Sequence, residues 1–205
     1  MRDLWQRIEA WGRAAGAGSL RLRPPALEDE IRRAEEVMGL VFPEDLRASL
    51  LCHDGEEPDP DFEWLPGCAP LQPLQALVAR WTEARGWAEA DPNADPDEGE
   101  SEDGRHRLCL WHPRRIPIAG SPFWDGDNTY VDLAPGSRGT EGQILTFTSE
   151  CDLEVLGPSF RATLEKYVCL LERGELVWSA SDSRVVPADG RWNGHAAEVF
   201  ARMIA

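Results

Sequence analysis

Lysine is almost missing from this chain: Lys166 is the only copy, and arginine supplies the rest of the 21 basic residues. With abundant Ala, Gly and Pro, that bias points to a GC-rich coding genome. A basic stripe is missing too. Thirty-seven acids against 21 bases leave a net charge of -16, the opposite of what a phosphate backbone attracts, so no nucleic-acid partner is expected. No apolar run approaches the length of a membrane span, and the first 15 residues lack the uninterrupted apolar core of a signal peptide. Cytoplasmic residence without a membrane partner is the expectation. The five cysteines, Cys52, Cys68, Cys109, Cys151 and Cys169, are odd in number and scattered, which excludes a full disulfide framework. They read as reduced thiols, mostly small hydrophobes in the core.

Motifs that carry chemistry are missing as well. There is no nucleophile elbow around Ser121 or Ser159, and no phosphate-cradling pattern among the glycines of 136–142. His106, Cys109 and His112 recur every third residue. On a strand over 108–111, however, Cys109 would face away from both histidines, which would face solvent, so the three could not share a metal. The run Asp125-Gly126-Asp127-Asn128 opens like a calcium loop, but Tyr130 stands where that loop needs glycine and Gly136 where it needs glutamate. A tight turn between strands is expected there instead. No catalytic, cofactor-binding or metal-ligating residue is assigned, and a hydrolase built on carboxylate-rich loops is the one enzyme reading left open.

What is present is acid in blocks. Residues 54–63 hold Asp54, Glu56, Glu57, Asp59, Asp61 and Glu63, and residues 89–103 hold eight more acids, with no Lys or Arg in either stretch. Outside them 23 acids face 21 bases, so the body is nearly neutral and the excess charge is directional. Nine tryptophans are the other unusual count. Trp5, Trp11, Trp81 and Trp178 fall on apolar patterns and read as core, whereas Trp64 and Trp124 sit beside acids at loop edges. An exposed aromatic there fits either a binding surface or a cover over a turn.

Apolar spacing predicts a helix capped by Asp3 and ended at Gly16, and a second from Pro24-Pro25 to Gly39 with Leu27, Ile31, Ala34 and Met38 inward. A third runs from Pro43 to the break at Asp54-Gly55, and a fourth from Leu71 carries Leu74, Leu77, Val78 and Trp81 inward. Residues 91–104, with no apolar side chain larger than Ala, cannot bury enough surface to offset ordering and are expected to be mobile. Short β-prone runs follow at 108–111, 116–119, 129–133, 144–148 and 154–156. Ser159 caps a fifth helix ended by Gly174, 176–178 and 184–186 form a terminal hairpin, and 196–204 reads as a last helix. Helices, then antiparallel strands, then helices, without βαβ alternation, predict a single α+β domain with helices packed on a mainly antiparallel sheet.

The segments that define these elements also resemble a known family. Pro24-Pro25 through Ile31, the run Met38-Gly39-Leu40-Val41-Phe42-Pro43-Glu44-Asp45-Leu46, and Leu50-Leu51-Cys52-His53-Asp54-Gly55 are similar to the N-terminal signature of the SUKH superfamily, named partly for the yeast Smi/Knr cell-wall assembly regulators. Trp64-Leu65-Pro66-Gly67 with 71–81, Arg115-Ile116-Pro117-Ile118-Ala119, Val131-Asp132-Leu133-Ala134-Pro135-Gly136, Gly142-Gln143-Ile144 and Pro158-Ser159-Phe160 resemble its later motifs, in order. The likeness covers 24–174. It leaves an N-terminal helix over 1–20, an acidic insertion or mobile loop over 89–105, and a C-terminal extension over 175–205.

The resemblance implies an α+β domain without catalytic residues. It implies a protein partner: for bacterial members a secreted toxin, commonly a nuclease or deaminase, that the domain neutralises as an immunity protein; for fungal members the partners of a regulatory hub. Toxin neutralisation by capture of a basic toxin domain is the leading expectation, and a regulatory adaptor or scaffold without a toxin partner is the alternative. The contact residues expected are Glu56, Glu57, Asp59, Asp61, Glu63 and Trp64 from the first acidic block, with Trp124, Asp125 and Asp127 from the later loop. Of the two blocks, the first lies between motifs and is expected to be held in a fixed geometry, so it is the preferred surface.

Overall fold

A computed structural model describes residues 1–57, 62, 65, 70–90, 95, 97, 99–109, 111–120, 128–147 and 153–190, apart from the Trp87 side chain. In chain order the elements are α1 (Arg2–Ala15), α2 (Glu28–Met38), α3 (Glu44–Leu50), α4 (Leu74–Ala90), β1 (Arg115–Gly120), β2 (Asn128–Asp132), β3 (Gln143–Phe147), β4 (Leu153–Gly157), α5 (Phe160–Glu172), β5 (Leu176–Ser179) and β6 (Arg184–Pro187). Strands β1 to β4 form an antiparallel meander in sequence order, and β5 and β6 a separate hairpin. This is the expected α+β domain. The predicted helix over 196–204 lies outside the described residues.

Strand register separates the two faces of the sheet. Ile116, Val131 and Ile144 are direct cross-strand partners, and all three belong to the main hydrophobic core. That core takes Leu4, Trp5 and Ile8 from α1, Ile31 and Met38 from α2, Leu77 and Trp81 from α4, and Phe160, Leu164 and Tyr167 from α5. One residue along, Arg115, Asp132 and Gln143 are also direct partners and therefore point to the opposite face. They are as buried as the apolar row, so this second face is covered as well.

Several element ends differ from the sequence expectation, each for a local reason. Helix α1 starts at Arg2 with Met1 as its cap rather than Asp3. Helix α2 begins at Glu28, not at the proline pair, because the preceding stretch is tied extended: the Asp54 amide donates to Pro24 O (3.0 Å) and the Ala26 amide to Leu50 O (2.9 Å). The Glu30 carboxylate then accepts from the Leu27 amide (2.8 Å) and closes the helix start. Helix α3 ends at Leu50, because the Cys52 and His53 amides both turn back to Ser49 O. The Ser159 cap of α5 is as expected, its hydroxyl accepting from the Ala162 amide.

The largest correction is at 108–111, where the described residues form no strand. The segment crosses the second face of the sheet, and a side chain takes the carbonyls that a strand partner would have taken. The Arg115 guanidinium donates to Cys109 O and to Arg107 O (3.0 Å). With the strand goes the expectation of solvent-facing histidines: His106 and His112 are both buried.

Candidate functional site

The first acidic block begins as a strap between two other segments. The Arg23 amide donates to Gly55 O (3.0 Å), the Glu57 amide to Arg21 O (2.9 Å) and the Glu56 amide to Leu71 O (2.9 Å). Gly55 makes the strap possible. Its φ is +68°, and an added Cβ would lie 2.6 Å from the backbone of Gln72 and Pro73.

The acids of the strap have different jobs. Asp54 Oδ1 accepts from the Leu74 amide (2.7 Å), which satisfies an orphan donor at the start of α4, and its other oxygen stands 3.7 Å from Arg23 Nε. Glu56 is 2% exposed, and its carboxylate accepts from the Leu71 amide (3.2 Å). That carboxylate is turned into the fold rather than toward a partner. Glu57 is exposed and accepts from Arg23 Nη1 (2.8 Å). Of the expected contact residues, Asp59, Asp61, Glu63, Trp64, Trp124, Asp125 and Asp127 lie outside the described residues.

Two described members of the second block, Glu100 and Asp103, are hydrogen-bonded to the turns beside them. Glu100 accepts from the Ser137 hydroxyl (2.7 Å) and amide (3.1 Å), which hold its carboxyl below the usual glutamate range. Asp103 accepts from the Ser101 hydroxyl (2.6 Å) and the Arg105 amide (3.0 Å), with the same direction of shift. Gly136 and Gly139 lie beneath this turn, and a Cβ on Gly139 would collide with Arg105 O. Composition speaks of apolar burial, whereas this turn is held by carboxylates on backbone amides.

The buried row on the second face has the residue types of a reactive centre but not the arrangement. Arg115 and Asp132 are both 0% exposed, with Arg115 Nε 3.6 Å from Asp132 Oδ1. Gln143 Nε2 bridges Asp132 Oδ2 (3.0 Å) and Arg105 O (2.8 Å), and the Ala134 amide donates to Asp132 Oδ1 (3.1 Å). Burial pushes the nearby Cys109 thiol up and the His112 imidazole down, so at neutral pH the first keeps its proton and the second is uncharged. Among the described residues no group of His, Cys, Asp and Glu could hold a metal ion. The row is a buried ion pair whose guanidinium also holds the Cys109 and Arg107 carbonyls of the segment it anchors, while Arg115 Nε makes no hydrogen bond among the described residues.

The open feature lies on the other side of the strap, between α2 and α4. A groove there is lined by Glu30, Arg33, Ala34 and Val37 of α2, by Leu74, Gln75, Ala76, Val78 and Ala79 of α4, and by Arg23, Asp54, Glu57 and Pro73 at one end. Its floor is apolar and small, and its rim is charged. Val37 is 61% exposed, with Leu27 at 65% and Val41 at 80% on the flanks of the same helix. Of the two described residues expected from sequence to meet a partner, Glu56 and Glu57, only Glu57 lines this groove. Arg23, Arg33, Val37 and Ala79 were not singled out, although a signal existed. Val37 lies off the inward stripe of α2, and α4 is apolar at 74, 76, 77, 78, 79 and 81, more than one buried stripe requires.

Among the described residues no helix is long and apolar enough to cross a membrane. In comparisons with known proteins the chain is similar to the cell wall assembly regulator SMI1 of Saccharomyces cerevisiae, 24% identical over 243 residues, covering 96% of this chain and 46% of the yeast protein. It is also similar to a glucan synthesis regulatory protein of Neurospora crassa, 24% identical over 184 residues, covering 72% of this chain and 34% of that protein. The chain thus spans less than half the length of either regulator. The family profile described as SMI1 / KNR4 family (SUKH-1) matches residues 25–166, from just before α2 into α5, and takes in the strap, all of the groove's lining but Arg23, and the whole four-stranded sheet. By that match, over well more than half its length, the chain belongs to the SMI1 / KNR4 family (SUKH-1).

Proposed function

We propose that this chain is a non-catalytic, protein-binding regulatory domain whose contact surface is the groove between α2 and α4. The observation that carries the reading is the groove itself. Apolar side chains left open between two packed helices, with a charged rim, fit a protein contact, where an apolar centre is ringed by polar groups. Two relatives named for regulation, one of cell-wall assembly and one of glucan synthesis, support an adaptor role over toxin neutralisation. The hydrogen-bonded state of the Arg115 row, with its protonated thiol and neutral imidazole, supports a domain that binds rather than reacts.

The test is chemical crosslinking and capture from the native cell, with wild-type chain beside the Val37→Asp/Ala79→Arg variant. Both substitutions fall at exposed positions and leave the core intact. Proteins crosslinked by wild type and lost with the variant are the expected outcome. Partners that crosslink equally to both would place the contact elsewhere, and capture of a secreted nuclease or deaminase would restore the toxin-neutralising reading.

A further inference from the structure

The segment that crosses the second face of the sheet is fastened at its far end by a histidine. His112 is 4% exposed, and its carbonyl accepts from the Arg115 amide (2.9 Å), closing the turn that feeds β1. Its ring Nδ1 accepts from the Arg114 amide (3.0 Å). A backbone amide can only donate, so Nδ1 carries no proton and Nε2 carries the one proton of the neutral ring. Nε2 stands 3.5 Å from Asp97 Oδ1, an oxygen shared with Arg107 Nε (3.3 Å). A second proton would have to sit on Nδ1, where it would meet the Arg114 N–H head on. His106, in the same segment, differs. Its Nδ1 donates to Arg107 O (3.1 Å), a bond that survives a second proton on Nε2.

We propose that His112 is an acid-sensitive latch: the neutral ring holds the crossing segment on the sheet, and uptake of a proton at Nδ1 releases that segment while the sheet beneath stays folded. Burial is the main force against the charged ring, and Arg115 of β1 repels it, whereas Asp97 and, from β2, Asp132 attract it. Helix α4 meets the turn through an uncharged group, the Trp81 indole, whose Nε1 donates to Pro113 O (2.9 Å). The balance holds the imidazole below its usual range, so the closed segment binds fewer protons than the opened one. The latch is complete above the ordinary histidine value, about 6.5, and weakens as pH falls toward the depressed one. Release is local because both flanks are held by other means. The turn before the segment rests on Glu100 and Asp103, which stay ionised down to about pH 4, and β1 behind it is laddered to β2. What release uncovers is the Arg115–Asp132 pair, whose guanidinium exchanges the Cys109 and Arg107 carbonyls for water. This device is independent of the groove between α2 and α4.

The test is amide hydrogen exchange of the full chain between about pH 7 and pH 5, corrected for the intrinsic pH dependence of exchange and read by mass spectrometry. Protection in peptides spanning 106–114 should fall roughly tenfold, while protection over β2 and β3 should not change. His112→Asn keeps an acceptor for the amide two residues on but has no group that titrates in this range, so its protection there should be flat. An unchanged wild-type segment, an equal fall in His112→Asn, or loss of protection in β2 and β3 together with the segment each overturns the latch. A second measurement needs no variant. The ring nitrogen resonances of His112 in isotope-labelled wild-type chain should show Nδ1 bare at neutral pH and protonated over the range in which protection is lost. A protonated Nδ1 at neutral pH, or a ring that stays neutral while the segment opens, overturns it as well.

Discussion

At the scale of single residues, the decisive feature is a charge that never reaches water. Arg115 has one anion, Asp132, and two carbonyls, those of Cys109 and Arg107. Asp132 in turn accepts from Gln143 and from the Ala134 amide, so removing its carboxylate takes the acceptor from the Ala134 amide and the counter-charge from Arg115. Burying an ion pair adds little net stability, but stripping one partner leaves an uncompensated charge in a dry place. Asp132→Ala is therefore expected to lower the unfolding free energy by about 3–5 kcal/mol, read from the urea midpoint. Arg115→Met in the same chain should recover part of that loss, since it removes the stranded charge. A single Asp132→Ala variant within about 1 kcal/mol of wild type would mean that the row is not held by this pair.

At the scale of elements, legibility followed the kind of force involved. Helix α5 was readable because one stripe, Phe160, Leu164, Tyr167, Val168 and Leu171, and one cap, Ser159, coincide with its boundaries. Strands β1 to β3 were readable from their short apolar runs. The segment over 99–112 was not, because side chains and turns hold it. Leu108 to Trp111 looks like a strand in one dimension, and only Arg115, several residues on, shows why its carbonyls need no strand partner. The groove was half-legible. An apolar surplus on α4 was visible, but which surplus residue stays open depends on how α2 packs across it.

The same turn gives a pH prediction. Glu100 is held below its usual range first by the Ser137 hydroxyl and then by the Ser137 amide, and Asp103 first by the Ser101 hydroxyl and then by the Arg105 amide. A carboxyl whose folded value is depressed binds fewer protons folded than unfolded. Its contribution is complete above the ordinary carboxylate value, about 4, and is lost as pH falls through the depressed one. The Ser137 and Arg105 amide resonances should then shift on acidification below about pH 4. The Trp5 indole, whose Nε1 donates to the Ser49 hydroxyl in the core (3.0 Å), serves as the control. Movement of all three together would signal global unfolding, and no movement at Ser137 would mean that the turn is anchored by something other than its acids.

At the scale of the whole molecule, the family match and the folding unit do not coincide. The match ends at residue 166 and starts at residue 25, yet α1 before it and β5 and β6 after it line the same core. Leu4, Trp5 and Ile8 of α1 are at most 2% exposed, as are Leu176 of β5 and Val185 of β6. Helix α1 is also clamped to α5 outside the matched range, through the paired contacts of Arg7 with both oxygens of Glu172 (2.8 and 2.7 Å). Fully burying a large apolar side chain is worth roughly 1.5–3 kcal/mol, so α1 alone, with three, accounts for several kcal/mol. A domain has about 5–15 kcal/mol in total. A fragment of residues 25–166 should therefore lack the cooperative thermal transition of the full chain and expose the apolar faces of α3 and α5 to a hydrophobic dye. Adding residues 1–24 back should restore part of the transition, and extending to residue 190 should restore the rest. If the 25–166 fragment melted cooperatively within a few degrees of the full chain, α1 and the hairpin would be accessories laid on a complete core, and the buried Trp5–Ser49 contact would be stabilising only itself.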